Sequence, residues 1–380
     1  MVNRLSGQEH GMAAKRPVLA VAVAATVVTI GFLAFRGTPP SDSPVISAGG
    51  DSPAVPGAAL NGEGARDGES GNVDRTLVST GRPSPDSPRP SEIAAISGGS
   101  VVMLDGKDGD TVRTLATHDE AASGGFPYLQ AVALTPDRRD VFYALAGDCA
   151  AATIFRVPAD GHAGPESLFS GVSPAVSPDG RKLAYAVATP GQESSGLTDR
   201  HCQNSVVVRD LKTGAERTWR YPDTPDFASP LYRDAVISEI DWAPDSTRLA
   251  YTLSYEGDSI AVLDTDADTD LGATEEVVIP GGGGNSSHPA WQATSGLLGL
   301  FNTRFECCFD DNYTGPPRAL LVDVDKRLPT PLLPAGRRVT ALDFDASGAH
   351  LLFVDSGRLY RRSGGQNPVG LAPGVAAADW

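Results

Sequence analysis

From Glu92 onward, apolar residues come in short extended runs separated by tight turns rich in Pro, Asp, Ser and Gly. An apolar segment meets a turn, and a second apolar segment follows it. The clearest copies are Ser173–Tyr185 (SPAVSPDGRKLAY) and Ser238–Tyr251 (SEIDWAPDSTRLAY). Weaker copies lie at Ala131–Pro136, His288–Ala293 and Ala341–Ala346. In the Pro-Asp-Gly turn, proline presets φ, the aspartate caps nearby backbone, and glycine accepts a positive φ. The turn positions Pro136, Pro178, Pro244, Ala293 and Ala346 recur roughly every 50 residues, the period of one four-stranded propeller blade. Two residues before each stands a bulky apolar side chain (Leu134, Val176, Trp242, Trp291, Phe344), a natural packing position between blades. Third and fourth strands follow each hairpin, as in Ser205–Leu211 with Glu216–Trp219 and Ile260–Asp264 with Glu276–Ile279.

The ends of this region are unequal. Ile93–Leu115 supplies only the second, third and fourth strands of a blade. Gly374–Trp380 reads as a lone first strand, with Trp380 in the slot held elsewhere by Trp242 and Trp291. The two pieces complete one blade, which removes the open edge between first and last blades. The predicted fold is therefore all-β: a six-bladed β-propeller with Velcro closure over residues 92–380. The 30 Pro and 42 Gly residues fit many turns and short strands rather than long helices.

Ahead of the propeller the pattern changes. Pro17–Phe35 carries no charge, and at about 1.5 Å per residue it spans roughly 28 Å as a helix. Lys15 and Arg16 precede it, so the positive-inside rule puts residues 1–16 in the cytoplasm and everything after Phe35 outside. The run ends in Leu33-Ala34-Phe35-Arg36, a poor cleavage site, which favours a transmembrane anchor at 17–35 over a removed signal peptide. Residues 36–91 are rich in Pro, Gly and Ser and lack apolar periodicity, as expected of a disordered linker. The expected location is the cell membrane, single-pass, with the propeller on the extracytoplasmic side.

The 173–185 stretch resembles TolB-like propeller repeats, which are similar to WD repeats. The resemblance spans about Glu92 to Trp380 and implies the propeller fold rather than a function. TolB itself carries a mixed α/β domain ahead of its propeller, where this sequence has the linker. Similar repeats form the lid domain of prolyl-oligopeptidase-type enzymes, which continue into a hydrolase domain.

Charge and chemistry narrow the function. The net charge is −16, and four basic residues sit within the first 36 positions, so the remainder is more acidic still. Such a surface repels phosphate backbones and argues against nucleic acid as a partner. The sequence has no G-x-S-x-G elbow, no H-E-x-x-H and no P-loop. His118, His201 and His288 fall in predicted loops, where a lone histidine is usually solvated. Asp241, Asp343 and Asp379 share one repeat position, three before the turn, and Glu239 lies two residues before Asp241. First strands line a propeller's channel, so these four are the candidate ligand-binding residues, suited to a cation or a basic group. The run Asp264–Asp270, with Glu275, imitates part of a calcium loop. It has Thr269 where that loop needs glycine, so it reads as a solvated acidic turn, and no cofactor is expected.

Long segments at Thr117–Tyr128, Thr189–Asn204, Pro222–Val236, Pro280–His288 and Thr303–Pro317 all emerge on one face, and loops of that length are uncommon without a functional reason. Cys149, Cys202, Cys307 and Cys308 belong to loops of that face. Cys149 and Cys202 occupy comparable places in neighbouring blades, which suggests a disulfide in an oxidising compartment. Cys307 and Cys308 then pair together or stay free. The expected protein is a monomeric, non-catalytic binding or scaffold module presenting this face to a protein, peptide or envelope ligand. The alternative is a lactonase- or lyase-like propeller enzyme with a metal at the channel.

Overall fold

The computed structural model describes residues 89–118, 128–147, 152–188, 203–220, 236–254, 257–271, 274–277, 285–303 and 316–380. The anchor and most of the linker fall outside this set, as do all four cysteines and the central parts of the five long segments. Among the described residues, no helix is long and apolar enough to cross a membrane.

The described chain forms six four-stranded antiparallel sheets. Blade one takes β1 (Glu92–Ser97), β2 (Ser100–Asp105) and β3 (Thr111–Thr117). Blade two is β4 (Tyr128–Leu134), β5 (Asp140–Ala146), β6 (Thr153–Pro158) and β7 (Glu166–Ser170). Blade three is β8 (Val172–Val176), β9 (Lys182–Ala188), β10 (Gln203–Asp210) and β11 (Glu216–Arg220). Blade four is β12 (Val236–Trp242), β13 (Arg248–Ser254), β14 (Asp258–Asp264) and β15 (Glu275–Glu276). Blade five is β16 (Asn285–Trp291), β17 (Leu298–Thr303), β18 (Arg318–Asp323) and β19 (Leu328–Pro331). Blade six is β20 (Val339–Phe344), β21 (His350–Asp355), β22 (Arg358–Ser363) and β23 (Val369–Pro373). The last strand, β24 (Val375–Asp379), pairs with β1 through Ala94↔Asp379 and Ala95↔Ala378 and completes blade one. The six blades and the Velcro closure expected from the repeat are thus present.

Burial falls from the inside of each blade outward. Second strands such as β5, β13 and β21 are buried along most of their length, because both faces pack against neighbouring blades. Fourth strands such as β7, β11 and β19 are largely exposed. The first-to-second-strand turns repeat one hydrogen-bond pattern. Asp179 Oδ1 accepts the Arg181 N–H (3.0 Å) and Asp245 Oδ1 accepts the Thr247 N–H (2.9 Å). Arg138, Gly180, Ser246 and Gly348 share a turn position and take φ of 61°, 69°, 56° and 65°.

Of the bulky slots, Leu134, Trp242, Trp291 and Trp380 are buried, while Val176 and Phe344 are half-buried at the edge of neighbouring clusters. Each tryptophan rests against the first residue of the preceding blade's second strand. Lys182 Nζ lies 5.5 Å from the Trp242 ring, the Arg248 guanidinium 5.2 Å from Trp291, and the His350 ring 6.4 Å from Trp380. A cation over an indole contributes about 0.5–2 kcal/mol, more as it loses water.

Candidate functional site

The first strands surround a central cavity of about 530 Å³. Its wall runs from Gln130, Ser173, Glu239 and His288 to the turn residues Pro136, Pro178 and Pro244. All four predicted channel acids line it, in two layers set by their places along the strands.

The layer nearer the turns holds Asp241, Asp343 and Asp379; blades two, three and five have Ala133, Ala175 and Ala290 there. Each aspartate reaches sideways to the next blade. Asp241 Oδ2 accepts the Trp291 N–H (2.6 Å), Asp343 Oδ2 the Trp380 N–H (2.9 Å), and Asp379 Oδ2 the Leu134 N–H (2.5 Å). These acids are not freely solvated. Burial pushes Asp241 up to about 7, against two backbone N–H bonds that favour its charge. Burial also raises Asp343 and Asp379, and the neighbouring Asp379 charge raises Asp343 further. Arg138 lies near enough to Asp379 to favour its charged form.

The other layer is an arc of Ser173, Glu239 and His288 in blades three, four and five. These three non-glycine residues occupy one repeat position and take φ of 53°, 51° and 55°. Strand pairing slips at this point in each blade, which turns the side chains into the channel. A left-handed conformation in a residue with a Cβ costs about 1 kcal/mol or more, and persists only where its surroundings fix it. Here side chains bond successive backbones. Ser173 Oγ accepts the Glu239 N–H (3.2 Å), and Glu239 Oε2 accepts the His288 N–H (2.9 Å) and the Thr252 hydroxyl (2.8 Å). Glu239 Oε1 also meets His288 Nδ1 at 2.6 Å. Burial works against the Glu239 charge, but the His288 charge and hydrogen bonds outweigh it and hold this carboxyl below its usual value. A carboxylate on Nδ1 orients the imidazole and leaves Nε2 for a ligand.

His288 therefore differs from its expected place. It belongs to β16 at the channel wall, not to a solvated loop, because the strand begins at Asn285. Sequence reasoning also passed over Ser173, Thr252 and Gln130. Gln130 Oε1 is buried at the cavity wall without a hydrogen-bond partner. The acidic run at Asp264–Asp270 lies away from the channel. Asp266 and Asp268 are exposed, and Arg217 clamps the turn through the Thr265 and Ala267 carbonyls (3.0 and 2.7 Å). Among the described residues, no group of three or more His, Cys, Asp or Glu side chains is placed to hold a metal ion.

Fold and site together define a β-propeller with a polar, partly acidic central channel. No family model matches the chain, and no curated protein matches it. Solved structures do. TolB from Acinetobacter baumannii superposes with a TM-score of 0.51 at 15% identity, over 76% of this chain and 66% of that one. A chain of a nidogen/laminin complex superposes with a TM-score of 0.52 at 12% identity, over 76% of this chain and 97% of that one. The fold is that of a TolB-like β-propeller, and this chain spans 66% of the length of that TolB chain.

Proposed function

We propose that this protein is a membrane-anchored, extracytoplasmic binding module whose ligand is a protein or peptide with a basic group that enters the channel. The observation carrying this reading is the 530 Å³ cavity, where carboxyls and an oriented imidazole are held at fixed positions by neighbouring-blade backbone. Such a site is built before the ligand arrives, which lowers the ordering cost of binding. The protein partner named with the nidogen/laminin propeller, and the TolB likeness, support a protein ligand over a small metabolite. The long segments on the other face add a second contact surface in this reading.

Proximity labelling on intact cells, followed by pull-down with the native chain and with Asp241→Asn and His288→Gln, tests it. The variants should lose the labelled partner while their melting stays cooperative. Undiminished capture by both variants would refute the channel as the site. Protease added to intact cells should remove the propeller epitope, and protection of that epitope would refute the orientation.

One observation favours the enzyme reading, the Glu239–His288 pair with its open Nε2. A lactonase- or lyase-like metal enzyme would bind a divalent cation tightly. Identical melting of the purified chain in calcium and in EDTA would remove that reading.

A further inference from the structure

Every carboxylate lining the channel already spends an oxygen. Asp241, Asp343 and Asp379 each give Oδ2 to a backbone N–H of the next blade (2.6, 2.9 and 2.5 Å). Glu239 spends both, Oε1 on His288 Nδ1 and Oε2 on the His288 N–H and the Thr252 hydroxyl. None of these four therefore offers a free pair of oxygens, the fork that a guanidinium grips with two parallel bonds. What the aspartate layer offers is one oxygen from each of blades four, six and one. Single acceptors from three sides suit an ammonium, which carries three donors and needs no fork.

The mouth beyond this layer is apolar. Pro136, Pro178, Pro244, Ala293 and Ala346 stand three residues past it in blades two to six, and all line the cavity. Three residues of strand span about 10 Å. The cations of the same rim bond elsewhere. Arg138 donates to the Glu92 carbonyl, Lys182 Nζ to the Ser246 carbonyl (3.0 Å), and Arg248 Nε to Asp245 Oδ2 (3.0 Å). On the opposite stretch of wall, Gln130 Oε1 is buried without a hydrogen-bond partner. A buried acceptor of that kind calls for a donor that the described chain does not supply.

We propose that the turn-side mouth of the channel is a pocket for a lysine side chain of a partner protein. The aliphatic stem crosses the collar of Pro136, Pro178, Pro244, Ala293 and Ala346, and the ammonium bonds Asp241, Asp343 and Asp379. This inference rests on the channel being the ligand site. It adds which cation is taken, and that the cation enters by the mouth opposite the long segments. Arginine is disfavoured because its planar fork finds no matching pair of oxygens. A bare cation is disfavoured because it gains nothing from the collar. Burial holds Asp241 up at about 7, a cost that a neighbouring ammonium relieves.

The test is titration calorimetry of the full-length protein with pentylamine, propylamine, pentylguanidine and pentanol. Pentylamine carries the stem and the ammonium of a lysine side chain. It should bind about tenfold or more tighter than pentylguanidine. Each methylene buried by the collar should tighten binding roughly fourfold, so propylamine should bind about 16-fold more weakly. Asp343→Asn should weaken pentylamine by about tenfold or more. Its side-chain oxygen can still accept the Trp380 N–H, so the closing strand keeps that bond. Pentylguanidine binding as tightly as pentylamine would overturn the lysine assignment and leave a basic-group channel standing. Pentanol binding as tightly as pentylamine, or an unchanged affinity in Asp343→Asn, would overturn the role of the aspartates. Absence of binding by all three cations would overturn this inference and the channel reading together. If Asp343→Asn does not fold, alanine-methyl NMR spectra of the native protein decide. Pentylamine should shift Ala133, Ala175, Ala293 and Ala346, which line the cavity, and shifts confined to other alanines would overturn the pocket.

Discussion

Replacing Trp380 by alanine isolates the packing half of the closure from its hydrogen bonds. The side chain is 9% exposed and sits among Ile93, Val102, Leu104, Leu352, Val354 and Leu359, which belong to blades one and six. Burying an indole removes about 150–250 Å² from water, or roughly 4–6 kcal/mol at 25 cal/mol per Å². Its Nε1 is buried without a hydrogen-bond partner, so truncation also relieves an existing cost of about 1 kcal/mol or more. The backbone N–H to Asp343 is retained. The expected loss is therefore about 3–4 kcal/mol, within the range for large-to-small core changes. For a domain of this size that lowers Tm by roughly 5–7 °C. Near-UV circular dichroism during heating of the full chain measures it, with Trp380→Phe expected to fall between the two. A Trp380→Ala protein melting within about 2 °C of the native one would show that the composite blade contributes little to stability.

Glu239→Gln should cost about 1–3 kcal/mol at neutral pH, since His288 loses its charged partner. Glu239 is held below its usual 4.5, so its contribution is present above that value and disappears as pH falls through the lower folded one. The acid limb of a denaturant-midpoint series should flatten in the variant, and an unchanged limb would count against the pairing. Asp241→Asn should behave in the opposite sense. Asp241 is pushed up to about 7, so its contribution is present below 3.8 and lost as pH rises through about 7. The variant should outlast the native chain in denaturant at about pH 8 and gain little at about pH 5; equal gains at both would contradict the raised value. Non-reducing peptide mapping should join Cys149 to Cys202, a bridge contributing roughly 4 kcal/mol by the chain-entropy model. A peptide linking Cys202 to Cys307 or Cys308 would overturn that pairing.

The architecture was legible because each blade writes its turn chemistry and its bulky slot in the same order. The unequal ends announced the closure, and Trp380 matches Trp242 and Trp291 in the sequence alone. The aspartate layer was legible for the same reason, since counting back from the turn places Asp241, Asp343 and Asp379 together. The Ser173–Glu239–His288 arc was not. It depends on a strand irregularity with positive φ, which reverses the facing that simple alternation predicts. A signal was present. Ser173-Pro174-Ala175, Glu239-Ile240-Asp241 and His288-Pro289-Ala290 align when the repeats are stacked, and that stacking would have moved His288 from a loop into a strand.

The pairing of β24 with β1 also sets a schedule for biosynthesis. The two strands of that junction lie at opposite ends of the propeller sequence, so β1 leaves the ribosome long before its partner exists. At 5–20 residues per second, the wait is about 15–60 s. Throughout it, Ile93, Ala94, Ala95 and Ile96 form an apolar strand with one unpaired edge, the kind of surface that recruits strands from other chains. Slow decoding or a stall at any point between the two strands would prolong that exposure without altering a single residue. The yield of folded protein should therefore respond to translation speed anywhere between β1 and β24.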